Sequence, residues 1–198
     1  MDKIRSMIWS MVVVIIVVAG SCQAERVAAM PTADGAAPGT LELDYLFHRG
    51  GHSVGLEVGL HPNFSAGVRQ EVGGRLYATV RAVLMPETEE WPGLALGGEF
   101  SSAHQHLYAV LSKQLGAPHL RGHLAFGLGR YARGMAGLTV MLNPVKVSNV
   151  PTTSLFVEYD GQGLAGGVTA QFSPELGAKL GLTLGHGLSM GLHHKLAF

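Results

Sequence analysis

The chain ends on Leu188-Ser189-Met190-Gly191-Leu192-His193-His194-Lys195-Leu196-Ala197-Phe198. In an extended strand successive side chains point to opposite faces. Leu188, Met190, Leu192, His194, Leu196 and Phe198 therefore share one side, and Ser189, Gly191, His193, Lys195 and Ala197 share the other. One apolar face, one polar face and a final aromatic form the pattern of the strand that closes an outer-membrane β-barrel, where lipid-facing and lumen-facing positions alternate. Leu192, Leu196 and Phe198 are read as the closing signal.

The other end has the features of an export signal. Asp2, Lys3 and Arg5 precede an apolar run from Ile8 to Ala19, too short to span a bilayer and followed by small residues. Two cuts are compatible with it. Ala19-Gly20-Ser21-Cys22 reads as a lipoprotein box with Cys22 as the attachment site, which gives a signal of residues 1–21. Cys22-Gln23-Ala24 reads as a small-x-small site, which gives a signal of residues 1–24 and a mature chain without cysteine. Residues 25–40 are expected to form an N-terminal periplasmic segment, and residues 41–198 the barrel.

Composition narrows the class. Lys plus Arg and Asp plus Glu number 14 each, and charged residues make up 14% of the chain, against about 25% in an average domain. That balance offers no surface for nucleic acid. Glycine supplies 28 of 198 residues, interleaved with Leu and Val rather than gathered in linkers, which argues for closely packed strands rather than disorder.

Read for period, the chain from Leu41 onward alternates every second residue between turn signals. The expected strands run 41–48, 52–60, 64–72, 75–85, 94–100, 104–113, 119–128, 132–142, 153–159, 164–172, 175–184 and 188–198. About twelve strands in an antiparallel, up-and-down transmembrane barrel satisfy the even count that bacterial barrels show. Two connections, Pro86 to Pro92 and Asn143 to Pro151, are long. With a periplasmic N-terminus both fall in the periplasm, where such turns are usually short, so either the count or that rule must yield.

The charges test the assignment more sharply than the apolar residues do. With Leu41, Leu43, Tyr45 and Phe47 toward lipid, parity turns Glu42, Asp44, Glu57, Arg69, Glu71, Arg75, Arg81, Glu99, Arg121, His123, Glu158, Lys179, His193 and Lys195 into the lumen. A charged side chain at the lipid midplane costs about 2–4 kcal/mol, so one-sidedness is a requirement. Closing the barrel brings Glu42 and Asp44 to His193 and Lys195 across the seam, with Lys179 one strand further, and Arg75 and Arg81 are expected to pair with Glu99. Such an interior fills and fixes the lumen rather than forming a pore of one sign.

Chemical sites are sparse. His104 and His106 share a strand face but no third ligand accompanies them, and four-coordinate metal sites need more. Ser101, Ser102 and His104 lie in one turn without a recognisable oxyanion hole. Gly127-Leu128-Gly129 lacks the Gly-Lys-Ser/Thr ending of a phosphate loop. No catalytic residue, metal or cofactor is assigned.

An ordered series of short segments carries a family resemblance over nearly everything after the signal. Pro31-Thr32-Ala33 precedes Gly39-Thr40-Leu41 at the first strand. Leu94-Ala95-Leu96-Gly97, Tyr108-Ala109-Val110-Leu111-Ser112-Lys113, Gly127-Leu128-Gly129-Arg130, Glu158-Tyr159-Asp160-Gly161 and Gly167-Val168 follow in order. In these segments the chain resembles the YjbH-type outer-membrane proteins, with Ala165 where similar sequences often have Asn and a shorter length than the larger members. The resemblance implies a non-enzymatic barrel in the outer membrane of a diderm bacterium, accessory to exopolysaccharide production or secretion. Its expected partners are outer-membrane lipid, the barrel assembly machinery, and the polymer or its secretion components. Two alternatives make different predictions: a lipid-modifying enzyme with a Ser102/His104 site at the barrel rim, and a periplasmic β-sandwich lipoprotein whose apolar faces pack between two sheets.

Overall fold

A computed structural model describes residues 30–48, 51–71, 74–116, 119–143, 145, 150–184 and 187–198. Both signal cuts and Cys22 lie outside the described residues. Twelve strands follow in order: β1 (Thr40–His48), β2 (Gly51–His61), β3 (Phe64–Glu71), β4 (Leu76–Met85), β5 (Gly93–Phe100) and β6 (Gln105–Gln114) make the first half. β7 (Leu120–Leu128), β8 (Met135–Met141), β9 (Thr152–Tyr159), β10 (Leu164–Gln171), β11 (Leu176–Thr183) and β12 (Gly187–Ala197) make the second. Each strand pairs antiparallel with its sequence neighbours, and β1 pairs with β12, so the sheet closes. Closure gives every strand two partners, the condition under which backbone can cross hydrocarbon. It also removes the β-sandwich alternative, which needs two open sheets.

Period-two patterning places the residues as their chemistry requires. Leu124 and Phe126 on β7, Leu138 on β8, Val157 on β9, Leu180 on β11 and Leu192 on β12 are exposed on the outside. Their strand neighbours of opposite parity, among them His123, Thr139, Glu158 and Lys195, are buried inside. Phe64, Trp91, Phe172 and Phe198 are exposed near the end at which β1 begins and β12 ends, and Phe100 and Tyr159 near the other, as in the aromatic girdles of outer-membrane barrels. An Arg at position 192, inside this apolar band, is expected to cost about 2–4 kcal/mol. The measure is the urea midpoint of heat-modifiable gel migration, with Ala197→Arg, one residue from the chain end, as the milder control.

Strand ends agree with the sequence reading to within three residues, the largest shift falling at the start of β8. There Gly129 and Gly134 take positive φ, 68° and 71°, and the chain between them closes a 3-10 turn at Gly129–Tyr131 before extending again at Met135. With the count fixed at twelve, the connections that follow β4 and β8 both start from the end at which β1 begins and β12 ends. The short-turn rule gives way, and the reason is visible in the 86–92 loop. Glu87 accepts a hydrogen bond from the Gln114 backbone N–H at 2.6 Å, and Lys113 Nζ donates to the carbonyls of Thr88 and Glu89 at 2.6 and 2.7 Å. The loop is folded onto the mouth instead of trailing from it.

The segment before β1 departs from expectation. Residues 30–39 are not a free periplasmic extension: Met30, Thr32, Ala33 and Ala36 are each no more than 4% exposed, inside the barrel. A turn with Gly39 at φ +70° passes the chain from this plug into β1, while the Gly39 N–H donates to the Gly59 carbonyl. The plug backbone lies so close to β2 that a Cβ on Gly59 would sit 1.9 Å from the Ala37 carbonyl oxygen. Short, weakly polar residues allow this entry, and the carbonyls and N–H groups they carry inside must find partners there.

Candidate functional site

The lumen holds a layered set of ion pairs. At the seam, register sets Glu42 opposite Lys195 and Asp44 opposite His193. Lys195 Nζ lies 3.7 Å from Glu42 Oε1, and His193 Nδ1 lies 2.9 Å from Asp44 Oδ1. Glu42 is also in register with Glu57 on β2. That acidic neighbour is balanced from beyond β3, because Arg81 on β4 reaches Glu57 at 3.2 Å and Ser65 Oγ donates to it at 2.6 Å. Glu57 is thereby paired and hydrogen-bonded, the condition under which a carboxylate is tolerable out of water.

A second layer centres on Glu99. Its carboxylate accepts from Arg69 at 2.8 Å, from Arg130 at 2.7 Å and from the Tyr131 hydroxyl at 3.1 Å. The expected pairing of Glu99 with Arg75 and Arg81 is therefore corrected. Arg81 serves Glu57, and Arg75 lies at the rim just before β4, solvent-exposed, with Nη1 3.2 Å from His104 Nε2. Arg130 and Tyr131 come from the 3-10 turn folded into the barrel, with the guanidinium 4.7 Å from the Tyr131 ring centroid. Burial pushes the Tyr131 hydroxyl above the ordinary tyrosine range, opposed by the Arg130 charge, so at neutral pH it is a donor to Glu99. Tyr131 packs on Tyr108 with ring centroids 4.7 Å apart.

Tyr108 in turn lies across Gly97, where a Cβ would meet its Cζ at 2.2 Å. Gly97→Val is expected to push the ring off its seat and cost about 1–3 kcal/mol, the usual range for overpacking. A denaturant midpoint lowered together with altered tyrosine fluorescence would register it; an unchanged midpoint would mean that the ring moves freely.

The third layer ties down the plug. Arg121 donates to Asp34 at 2.8 Å and to Glu87 at 2.9 Å, joining the plug to the 86–92 loop. The Ala33 N–H donates to Ser112 Oγ at 2.9 Å, and that hydroxyl meets His123 Nδ1 at 2.8 Å. Arg81 adds a bond to the Asp34 carbonyl. Met30 sits in the apolar cluster of Ala95, Tyr108, Val110, Ala125, Tyr131, Met135 and Phe156.

Above this floor the lumen opens into a cavity of about 420 Å³. Glu158 and Lys179 line it with Asp44, Glu57, Arg69, Arg81 and Glu99. Alternation along the strands does not single out Asp34, Glu87, Ser112, Arg130 or Tyr131. Their positions fall in loops, in the plug or at uncharged strand sites that charge parity does not reach.

The Ser101 hydroxyl bonds the main chain of its own turn, donating to the His104 carbonyl at 3.1 Å and accepting from its N–H at 3.0 Å, while the His104 ring faces Arg75. His104 and His106 have ring centroids 6.2 Å apart, and among the described residues no group of three or more His, Cys, Asp or Glu is placed to hold a metal.

No family model matches the chain, and no curated protein does. Among solved structures it is similar to a KdgM porin in complex with disordered oligogalacturonate, with a TM-score of 0.63 and 11% identity over 80% of this chain and 99% of that one. It is also similar to a second KdgM porin structure, with a TM-score of 0.59 and 12% identity over the same shares. At such identity the likeness concerns the fold. A closed twelve-stranded barrel with an apolar, aromatic-girdled exterior and its charges inside is an outer-membrane protein of a diderm bacterium.

Proposed function

We propose that the protein is a non-catalytic outer-membrane barrel of the YjbH type, serving exopolysaccharide production or secretion. The observation that carries this reading is a convergence. Of the short segments behind the resemblance, which run from residue 31 to residue 168, those at 31–33, 94–97, 108–113 and 127–130 contribute residues to one packed region of the lumen. Ala33 hydrogen-bonds Ser112, Arg130 shares Glu99 with Tyr131 beside Tyr108, and Met30 and Glu158 both flank Gly137.

With the start of β1 and the end of β12 in the periplasm, the plugged mouth faces inward and the cavity faces the cell surface. A barrel so arranged presents a rigid polar vestibule to extracellular polymer without a permanent leak. The fold's capacity to accommodate a sugar chain is supported by the KdgM structure that holds an oligogalacturonate. Deleting the gene is expected to reduce secreted polymer, with restoration by the wild-type gene, and the extracted protein should migrate differently on gels before and after heating. Unchanged polymer in the deletion strain would sink the reading.

A further inference from the structure

We propose that the vestibule is the seat of the protein's own N-terminal lead, residues 25–29, and that the mature chain starts at Glu25 with no lipid anchor. The direction of the plug carries this. Its C-terminal part lies at the mouth where β1 begins, with the Gly39 N–H bonded to the Gly59 carbonyl near the end of β2. Asp34 takes its bond from Arg121, the second residue of β7, and Ala33 bonds Ser112, two short of the end of β6. Met30 has climbed further. Its Sδ lies 3.1 Å from where a Cβ on Gly137 would stand, and it shares an apolar cluster with Tyr108 and Tyr131. Gly137 and Tyr108 are the third and fourth residues of β8 and β6 counted from the opposite mouth, and Tyr131 belongs to a turn at that mouth. Met30 and Pro31 also line the cavity of about 420 Å³. From residue 39 to residue 30 the chain rises from the periplasmic mouth and ends facing the cell surface.

The way back is filled. Below Met30 the plug meets β2 at Gly59, β4 at Val83, β5 at Gly93, β6 at Ser112 and β7 at Arg121. Glu87 of the covering loop shares Arg121 with Asp34. A chain doubling back from Met30 would have to displace these contacts and leave its own amides without partners there. That bears on Cys22. A lipid attached to it on the periplasmic side enters the near leaflet from outside the wall, and the chain from Met30 back to Cys22 would then have to run down through this section. The cut before Glu25 asks for no such path.

In that cut water splits the Ala24–Glu25 amide, its hydroxyl completing the Ala24 carboxylate and its proton going to the Glu25 amine. The lead left on the plug is Glu25-Arg26-Val27-Ala28-Ala29, at most about 18 Å when extended. From Tyr108 to Gln105, where β6 starts at the outer mouth, is three residues, about 10 Å. The lead is long enough to cross the cavity to the surface mouth and too short to trail far beyond it. Val27, Ala28 and Ala29 are short residues like those that let the plug into the barrel. The free amine, Glu25 and Arg26 bring both signs to a lining that is itself of both signs, with Arg69 and Glu71 3.8 Å apart in its wall. A polymer arriving from outside must displace this lead, so the vestibule is self-blocked at rest.

The test uses the full-length gene in a diderm host. The intact mass of the purified barrel is expected to equal that of residues 25–198. A short epitope inserted between Ala24 and Glu25 should bind antibody on sealed cells, in which a soluble periplasmic protein stays unstained. The third readout is occupancy, followed in detergent through Ser189→Cys on the vestibule wall, which the cut before Glu25 leaves as the sole cysteine. Its reaction with a maleimide should be at least about tenfold faster when residues 25–29 are deleted, the factor expected if the lead fills the space about nine-tenths of the time. The variants should keep heat-modifiable migration, and the mass is read on the wild type. A diacylated chain beginning at Cys22, an epitope reached only after permeabilisation, or equal maleimide rates would each overturn the proposal. None of these readouts involves polymer secretion, so their failure leaves the exopolysaccharide reading untouched.

Discussion

Replacing Lys195 with Glu is expected to destabilise the barrel by about 3–5 kcal/mol, the range for breaking a buried ion pair by removing one partner. Lys195 and Glu42 are 3% and 2% exposed, so neither charge can be rescued by water. The substitution does more than delete a cation. Glu42 already faces Glu57 on β2, and a Glu at 195 would leave three carboxylates in a row over β12, β1 and β2, the last of them paired with Arg81. Because the row lies on the strand pair that closes the sheet, failure should appear as loss of the compact, heat-modifiable band. Adding Glu42→Lys should restore most of the loss, since a Lys at 42 would then lie between acidic groups at 195 and 57. Glu42→Lys alone, with Lys195 on one side and Glu57 on the other, should be milder than Lys195→Glu. A double variant no better than Lys195→Glu alone would show that the seam is not held by this pair.

How much of this was legible beforehand depends on the range of the interaction. Alternation in Leu188–Phe198 and its eleven predecessors fixes which face each residue takes, because the period of two is local to the strand. Neighbour register at the seam follows from closure, so the meeting of Glu42 with Lys195 and of Asp44 with His193 could be read from the chain. The partners of Arg81 and Glu99 could not. Arg81 spans the small β3 residues Ser65 and Gly67 to reach Glu57 two strands away, and Arg130 reaches Glu99 from a turn folded inward. Long cationic side chains choose among several carboxylates on a curved wall, and period carries no information about that choice. Residues 30–39, rich in Ala, Gly and Pro, show no alternation to place them. Their location is decided by glycine at 59, which admits their backbone against β2, and by Arg121, 87 positions away from Asp34.

That long-range tether makes Arg121→Ala the variant expected to open the barrel. In the native state Arg121 neutralises both Asp34 and Glu87. Its removal leaves two carboxylates facing each other at the mouth, one on the plug and one on the covering loop. The Arg121 side chain is 18% exposed, so the full buried-pair figure is discounted to about 3 kcal/mol, which corresponds to roughly a hundredfold shift in the plugged-to-open ratio. Ser112, Gly59 and Met30 still hold the plug, so opening should be intermittent. In planar bilayers the wild type is expected to be nearly silent and Arg121→Ala to show discrete channel events. Gly35 supplies the control. A Cβ at this position would lie 3.2 Å from a Val83 methyl, so Gly35→Cys combined with Val83→Cys allows the plug to be bridged to the wall. If plug release causes the currents, oxidising that pair in the Arg121→Ala background should silence them and reduction should restore them. Currents unaffected by the bridge would assign conduction to another route, and silence in Arg121→Ala with intact folding would show that the apolar seat of Met30 among Tyr108, Tyr131 and Phe156 is sufficient to keep the lumen shut.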